Sequence, residues 1–128
     1  MSMKEIVMSS MAPEPIGPYS QGVASGGYVF LSGQVGRKHD ATELEEGVAA
    51  QTEQAILNLK AVLAEKNLNL DNVVKTTVFL ADMKDFSKMN AVYAEFFDED
   101  TAPARSTVQV AGLPLDAEME IEVMASLD

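Results

Sequence analysis

The sequence predicts an α+β fold in which a single mixed β-sheet carries two helices on one face. Segments rich in β-branched residues occur in both halves of the chain, as expected for strands. Two longer segments between them repeat their apolar residues at helical spacing. The chain has 128 residues, of which 47% are apolar, and this is enough to bury one core. We therefore treat residues 1–128 as one domain.

The N-terminal part of the chain is predicted to form an irregular segment and then a hairpin. Prolines and a glycine exclude a helix from residues 12–19. Two short strands are expected over Gln21–Ala24 and Tyr28–Ser32. The turn between them contains two glycines, which accept the positive φ that a tight hairpin needs.

The rest of the chain is predicted to hold two helices and three strands. Thr42 and Glu45 have the spacing of a capping box, which predicts a helix of about five turns ending near Asn67. The elements expected after it are a strand over Val73–Leu80, a helix capped by Asp82 or Asp85, and strands over Pro103–Val110 and Glu118–Leu127.

The central strand predicts an assembly of several copies. Its apolar residues point to both faces of the sheet: Val73, Val74, Val78, Phe79 and Leu80. Two helices can cover only one of these faces, so the other must be covered by something else. No further element is predicted in the chain, and we therefore expect a homo-oligomer.

Charge and composition exclude several classes of function. Nine basic residues against twenty acidic ones give a formal net charge of -11, which disfavours nucleic acid and anionic membranes as partners. The absence of cysteine fits a cytoplasmic protein. His39, the single histidine, lies in a polar loop, so neither a zinc site nor a Ser-His-Asp triad is expected. The acidic residues do not have the spacing of a calcium loop, so no metal is expected. The glycines match no phosphate-loop or dinucleotide motif.

Charged residues on the last two predicted strands are candidates for a binding site. Arg105 shares one strand face with Thr107. A strand arginine is often exposed or paired with a surface acid, but its fork of donors also suits an organic carboxylate. The acids that alternate on the next strand mark either a solvated edge or a proton acceptor, and they are Glu118, Glu120 and Glu122. Residue type alone does not choose among them.

Three further residues have two interpretations each. Tyr19 either packs in its loop or directs its hydroxyl into a pocket. Gly33 either ends a strand or lets its backbone approach a ligand. Asn90 falls on the apolar side of the second helix, where it either ties down backbone or faces a ligand.

Taken in order, these residues and their neighbours make the sequence similar to the Rid family, also called YjgF or reactive intermediate deaminases. The resemblance covers nearly the whole chain. The segments that carry it are Ile16-Gly17-Pro18-Tyr19-Ser20-Gln21, Ser32-Gly33-Gln34, Val74-Lys75-Thr76-Thr77-Val78-Phe79, Pro103-Ala104-Arg105-Ser106 and Glu120-Ile121-Glu122, with Asn90 between them. Each segment is weak alone, and their ordered occurrence is specific.

The resemblance implies a chorismate-mutase-like subunit in a barrel-like homotrimer, with a cleft between each pair of subunits. It also implies hydrolysis of 2-iminopropanoate and 2-iminobutanoate to 2-keto acids and ammonia, without a cofactor. The implied roles are carboxylate binding by Arg105 and water orientation by Glu120. The other implied pocket residues are Tyr19, Gly33, Asn90 and Thr107, the last of which replaces a cysteine that many members carry.

Rival functions use the same pocket differently. A non-catalytic sensor would bind a small acid without turnover, and the presence of Glu120 beside Arg105 favours the enzyme over it. A chaperone-like role is not addressed by the sequence. A translation-inhibiting endoribonuclease is disfavoured by the acidic balance and by the single loop histidine.

Overall fold

The computed structural model describes residues 3–128 and confirms an α+β architecture with one mixed sheet and two helices. The helices are α1 (Val48–Ala64) and α2 (Phe86–Phe96). The strands are β1 (Glu5–Val7), β2 (Gly22–Ser25), β3 (Tyr28–Val35), β4 (Val73–Leu80), β5 (Ala104–Gln109) and β6 (Met119–Ser126). Single 3-10 turns cover Leu70–Asn72, Met83–Asp85 and Pro114–Asp116. Neither helix is long and apolar enough to cross a membrane.

The sheet has the strand order β1-β2-β3-β6-β4-β5. Only β4 and β5 run parallel, because α2 connects them and returns the chain to the same end of the sheet. All other neighbours are antiparallel, and β6 lies between β3 and β4. This order places β5 at one edge, with β4 between it and β6.

Both helices pack on one face of the sheet and bury the core there. Alternate residues of β4 and β6 point towards the helices and have almost no exposed surface, including Val78, Leu80, Met119, Ile121 and Ala125. The helices add Ile56, Leu59, Leu63, Met89 and Tyr93 to the same cluster. The apolar side of these strands therefore packs against the apolar faces of α1 and α2 in one core layer.

The other face of the sheet is not covered by any described element. Three large apolar side chains there are substantially exposed: Tyr28 by 42%, Phe30 by 45% and Val108 by 40%. Lone exposed apolar residues are common, but these lie on strands of one sheet face. The expectation that the two helices leave one face open is confirmed.

Helix α1 begins later than predicted. Thr42 and Glu45 do not form a capping box, because residues 37–45 run back along the end of β3 instead. Arg37 pairs with Leu44 in an isolated bridge, and the Glu45 N–H donates to the Gly36 carbonyl at 2.9 Å. The helix starts after Gly47, without a side-chain cap.

Candidate active site

Arg105 lies on edge strand β5 and is held by side chains of α2. Its Nη1 donates to Asn90 Oδ1 at 2.7 Å, and its Cζ lies 4.6 Å from the centre of the Tyr93 ring. Phe86 is a second aromatic neighbour at 5.5 Å. The electron-rich ring faces attract the guanidinium, and together with the amide they fix its plane.

The support beneath Arg105 continues into the core. Tyr93 is buried, and its hydroxyl shares a hydrogen bond of 2.8 Å with Thr76 Oγ1 on β4. Its ring stacks on Phe97 with the ring centres 4.5 Å apart. Burial raises the pKa of the Tyr93 hydroxyl, which therefore stays protonated at neutral pH. Tyr93 was not among the predicted site residues, and its contact with Arg105 was missed.

Arg105 has no acidic partner within residues 3–128, where the one ion pair joins Lys66 and Glu5. Asn90 is also its only hydrogen-bond acceptor in that part of the chain. The guanidinium lines a cavity of about 530 Å³ together with Asn90, Tyr93 and Phe97. A positioned cation with unused donors beside a cavity suits an anionic ligand.

Thr107 lies two residues beyond Arg105 on β5, so its side chain shares the helix-facing side of the strand. Both residues are partly buried, whereas Ala104, Ser106 and Val108 are exposed on the opposite side. The hydroxyl of Thr107 makes no side-chain hydrogen bond within residues 3–128.

The three glutamates near β6 have three different environments. Glu118 precedes the strand. Its backbone N–H donates to Oε1 of Gln51 on α1 at 2.9 Å, and its Oε2 accepts from Nε2 of Gln51 at 3.2 Å. Glu122 is exposed. Glu120 is partly buried, and this burial raises the pKa of its carboxyl, with a smaller contribution from the charge of Glu122. Glu120 is thus the one with the environment of a proton-transfer group.

Glu120 packs against a distortion in β3. The pairing of β3 with β6 shifts register between Leu31 and Gln34, which leaves Gly33 opposite the Glu120 side chain. A Cβ built on Gly33 would lie 2.8 Å from Glu120 Cδ, so only glycine fits there without moving the carboxylate.

Tyr19 and Gly33 line the same cavity as Glu120. The cavity has a volume of about 270 Å³, and its remaining lining residues include Ile16, Arg37, Pro114 and Leu115. The side chain of Tyr19 is 53% exposed, so the packing interpretation of this residue does not hold. Arg37 was not among the predicted site residues.

The predicted site residues therefore fall into two groups on opposite faces of the sheet. Arg105 faces the helices and touches α2. Glu120 lies between Met119 and Ile121, whose buried side chains face the helices, so its own side chain points to the open face. Within one chain, the sheet therefore separates Arg105 from Glu120.

No metal-binding group is present in the described part of the chain: no three His, Asp or Glu side chains of residues 3–128 are placed to hold an ion. His39 is exposed and lies outside both cavities. The chemistry available in these cavities is therefore that of a guanidinium, an amide, a phenol and a carboxylate.

Comparison with known proteins gives consistent matches. The family model described as Endoribonuclease L-PSP matches residues 9–127. A RutC family protein of Synechocystis is 47% identical over 129 residues, which cover 99% of this chain and 98% of that protein. Reactive Intermediate Deaminase A, chloroplastic, of Arabidopsis thaliana is 44% identical over 125 residues, covering 97% of this chain and 66% of that protein.

A solved structure extends the match to three dimensions. The crystal structure of Escherichia coli TdcF with bound serine has a TM-score of 0.89 and 42% identity, covering 95% of this chain and 98% of that chain. Sequence and fold thus agree along nearly the whole length, and the chain belongs to the family described as endoribonuclease L-PSP, which contains the reactive intermediate deaminases, or Rid proteins.

Proposed function

We propose that the protein hydrolyses short-lived 2-imino acids, such as 2-iminopropanoate and 2-iminobutanoate, to 2-keto acids and ammonia, without a cofactor. The observation that carries the proposal is the state of Arg105, which is fixed by Asn90 and Tyr93 and yet has no acidic partner within residues 3–128. The name of the Arabidopsis relative, a reactive intermediate deaminase, supports the same reaction class.

In this proposal Arg105 binds the substrate carboxylate. Asn90 occupies one Nη1 hydrogen, which leaves the other edge of the guanidinium for two parallel hydrogen bonds to the carboxylate oxygens. Thr107, on the same side of β5, adds a hydroxyl donor. Holding the carboxylate fixes the neighbouring imine carbon and turns a random encounter with water into a positioned one.

Glu120 would position the attacking water and accept its proton. The water oxygen bonds to the imine carbon, and the C=N double bond becomes a single bond in a tetrahedral adduct. The proton held by Glu120 passes to the nitrogen, which gives an adduct with one hydroxyl and one amino group. The hydroxyl proton then passes through the same carboxylate to the amino nitrogen. The C–N bond breaks as the C=O bond forms and ammonia leaves, so that one imine and one water give one keto acid and one ammonia. The raised pKa of Glu120 makes its carboxylate a stronger base than an ordinary glutamate, which suits a group that accepts and returns a proton.

We propose further that the site is completed between copies in a homotrimer. Arg105 and Glu120 face opposite sides of one sheet, so a ligand that uses both needs Arg105 from one copy and Glu120 from another. The open sheet face, with Phe30 and Val108 exposed, provides an apolar surface on which a second copy can pack.

The family description also names an endoribonuclease. An RNA-cleaving site commonly needs a basic surface and a general acid or base that can reach a ribose 2′-hydroxyl. Here the net charge is -11 and His39 lies outside both cavities, which favours the deaminase.

The proposed function predicts a strong effect of Arg105→Ala. A threonine dehydratase supplies 2-iminobutanoate, and formation of the keto acid is timed with and without the protein. We expect wild type to accelerate it and Arg105→Ala to lose most of this acceleration, because a charged hydrogen-bonded contact is worth about 10-fold to 100-fold in binding alone. Unchanged turnover in this variant would refute the role of the arginine.

Lys84→Ala is the matched control. Lys84 is an exposed basic residue in the 3-10 turn before α2, and it lines neither cavity. The variant removes a charge of the same sign from outside both cavities, and we expect less than about a twofold change in turnover.

A further inference from the structure

The chain has only two arginines, and each lines a different cavity of the candidate site. Arg37 also lines an adjoining cavity with His39. Arg105 lines the cavity beside α2, and Arg37 lines the cavity that contains Glu120. No lysine lines either cavity. An arginine side chain can bind a carboxylate through two parallel hydrogen bonds, and both arginines of the chain line the candidate site.

Arg37 is fixed in place by its surroundings. Its Nη1 donates to the Ala41 carbonyl at 2.6 Å. Its own carbonyl accepts from Nδ2 of Asn58 at 2.9 Å, and Asn58 is fully buried. The bridge to Leu44 holds the backbone on the other side. A positioned guanidinium loses less conformational entropy when it binds a ligand than a free one does.

The charge of Arg37 is not neutralised within residues 3–128. The one ion pair there joins Lys66 and Glu5. Glu14 lines the same cavity, but it is exposed and forms no ion pair with Arg37. Arg37 and Glu120 line the same cavity without forming an ion pair within residues 3–128.

We propose that Arg37 determines substrate specificity by binding a second carboxylate, so that the preferred substrates are 2-imino dicarboxylic acids. The inference rests on the proposed deamination. Arg105 takes the carboxylate next to the imine carbon, and Arg37 takes the one at the end of the side chain. Water adds to the C=N bond and ammonia leaves as before, so the second carboxylate changes binding and not the reaction.

Two imines with the same number of carbons test this. 2-Iminosuccinate is generated from aspartate by an aspartate oxidase with catalase, and 2-iminobutanoate from threonine by a threonine dehydratase. We expect the ratio of kcat/KM for the dicarboxylic over the monocarboxylic imine to exceed one in wild type. Arg37→Met should lower this ratio about 10-fold to 100-fold, the usual range for a lost charged hydrogen bond.

Lys38→Met is the matched control. Lys38 is the exposed neighbour of Arg37, carries the same charge and lines neither cavity of the site. Because its loss changes the long-range field equally, a ratio close to that of wild type shows that the effect of Arg37→Met is local. An equal fall of the ratio in both variants would contradict the proposal.

The remaining outcomes separate this inference from the proposed function. If Arg37 only holds the 38–41 loop, Arg37→Met lowers both activities together and leaves the ratio unchanged, which overturns the proposal. Acceleration of 2-iminobutanoate but not of 2-iminosuccinate overturns it as well, and leaves the deaminase standing. If neither imine is accelerated, the deaminase fails, and NMR titration with oxaloacetate and 2-oxobutanoate decides. Preferential binding of oxaloacetate that is lost in Arg37→Met then supports the Arg37 site, and equal binding refutes it.

Discussion

At the scale of single residues, the orientation of Arg105 depends on a side chain that the sequence did not single out. Tyr93 presents its ring to the guanidinium and its hydroxyl to Thr76, so it links the candidate site to the core. Arg105, Asn90 and Glu120 were nominated from residue type and resemblance, and the structure gives the first two a direct contact. An aromatic residue at helical spacing gives no signal of this kind, because core packing produces the same pattern.

Tyr93→Leu should weaken substrate binding more than catalysis. Loss of the ring removes the surface against which the guanidinium lies, and a cation–π contact of this kind corresponds to a roughly 3-fold to 30-fold rise in KM. Tyr93→Phe keeps the ring and should hold KM near the wild-type value. It leaves the buried Thr76 hydroxyl without its partner, which should cost about 1–3 kcal/mol of stability. Steady-state kinetics and thermal melting measure the two effects, and an unchanged KM in Tyr93→Leu would contradict the role.

The pKa of Glu120 should lie above the ordinary value of 4.5 and should fall in Glu122→Gln. Burial is the main cause of the shift and survives this substitution, whereas the repulsion from Glu122 is lost. Because the folded chain binds this proton more tightly than the unfolded chain does, the group lowers the free energy of unfolding as pH rises from the ordinary pKa through the raised one. NMR titration of the Glu120 carboxyl carbon measures both pKa values. A wild-type value at or below 4.5 would be inconsistent with this description.

At the scale of elements, the glycine in β3 determines where the Glu120 carboxylate lies. The register shift between Leu31 and Gln34 brings Gly33 against that side chain, and no Cβ fits between them. The sequence offered two interpretations of Gly33. Strand β3 continues to Val35, so Gly33 does not end the strand, and its close neighbour is the Glu120 side chain. A bulge has no clear signature in a short strand, which is why this contact could not be predicted.

Gly33→Ala should reduce activity much more than stability. The new Cβ displaces the end of a flexible side chain, which is cheap for folding, but a shift of about 1 Å at a reacting group can cost up to 100-fold in rate. The control is Gly112→Ala, since a Cβ at Gly112 meets nothing within 4 Å. Keto-acid formation and chemical denaturation of both variants check this. Equal activity in the two variants would show that the position of Glu120 does not matter.

The sequence predicted the helices and strands correctly where no long-range pairing competed with the local pattern. The periodicity of α1, α2 and β4 was read correctly, and Asn67 does take the left-handed conformation beyond α1, with φ 59. The start of α1 was wrong because residues 37–45 pair with the end of β3, which removes Thr42 from a capping position. Strand β1 was missed because three residues carry too little alternation to detect.

At the scale of the whole molecule, the two faces of the sheet explain why one chain holds only half of each proposed site. Alternation along a strand predicts on which side each residue lies. The placement of Arg105 and Glu120 on opposite faces of the sheet could therefore, in principle, be predicted from the sequence. It became decisive only when Asn90 and Tyr93 placed Arg105 on the helix side, and when Met119 and Ile121 placed Glu120 on the open side. If one ligand uses both residues, as proposed, its site requires a second copy.

Mixing two inactive variants tests this claim most directly. Arg105→Ala and Glu120→Gln are purified separately, shown by sedimentation to have the wild-type mass, mixed in equal amounts and allowed to exchange subunits. In the proposed site, Arg105 comes from one copy and Glu120 from its neighbour. Such a site is intact only when the first copy is the Glu120→Gln variant and the second is the Arg105→Ala variant. Random exchange in a ring therefore restores about one quarter of the sites. Recovery of keto-acid formation to roughly that fraction of wild type is the predicted result. A mixture that exchanges subunits, as mass spectrometry of labelled chains would show, and yet stays inactive would contradict the account.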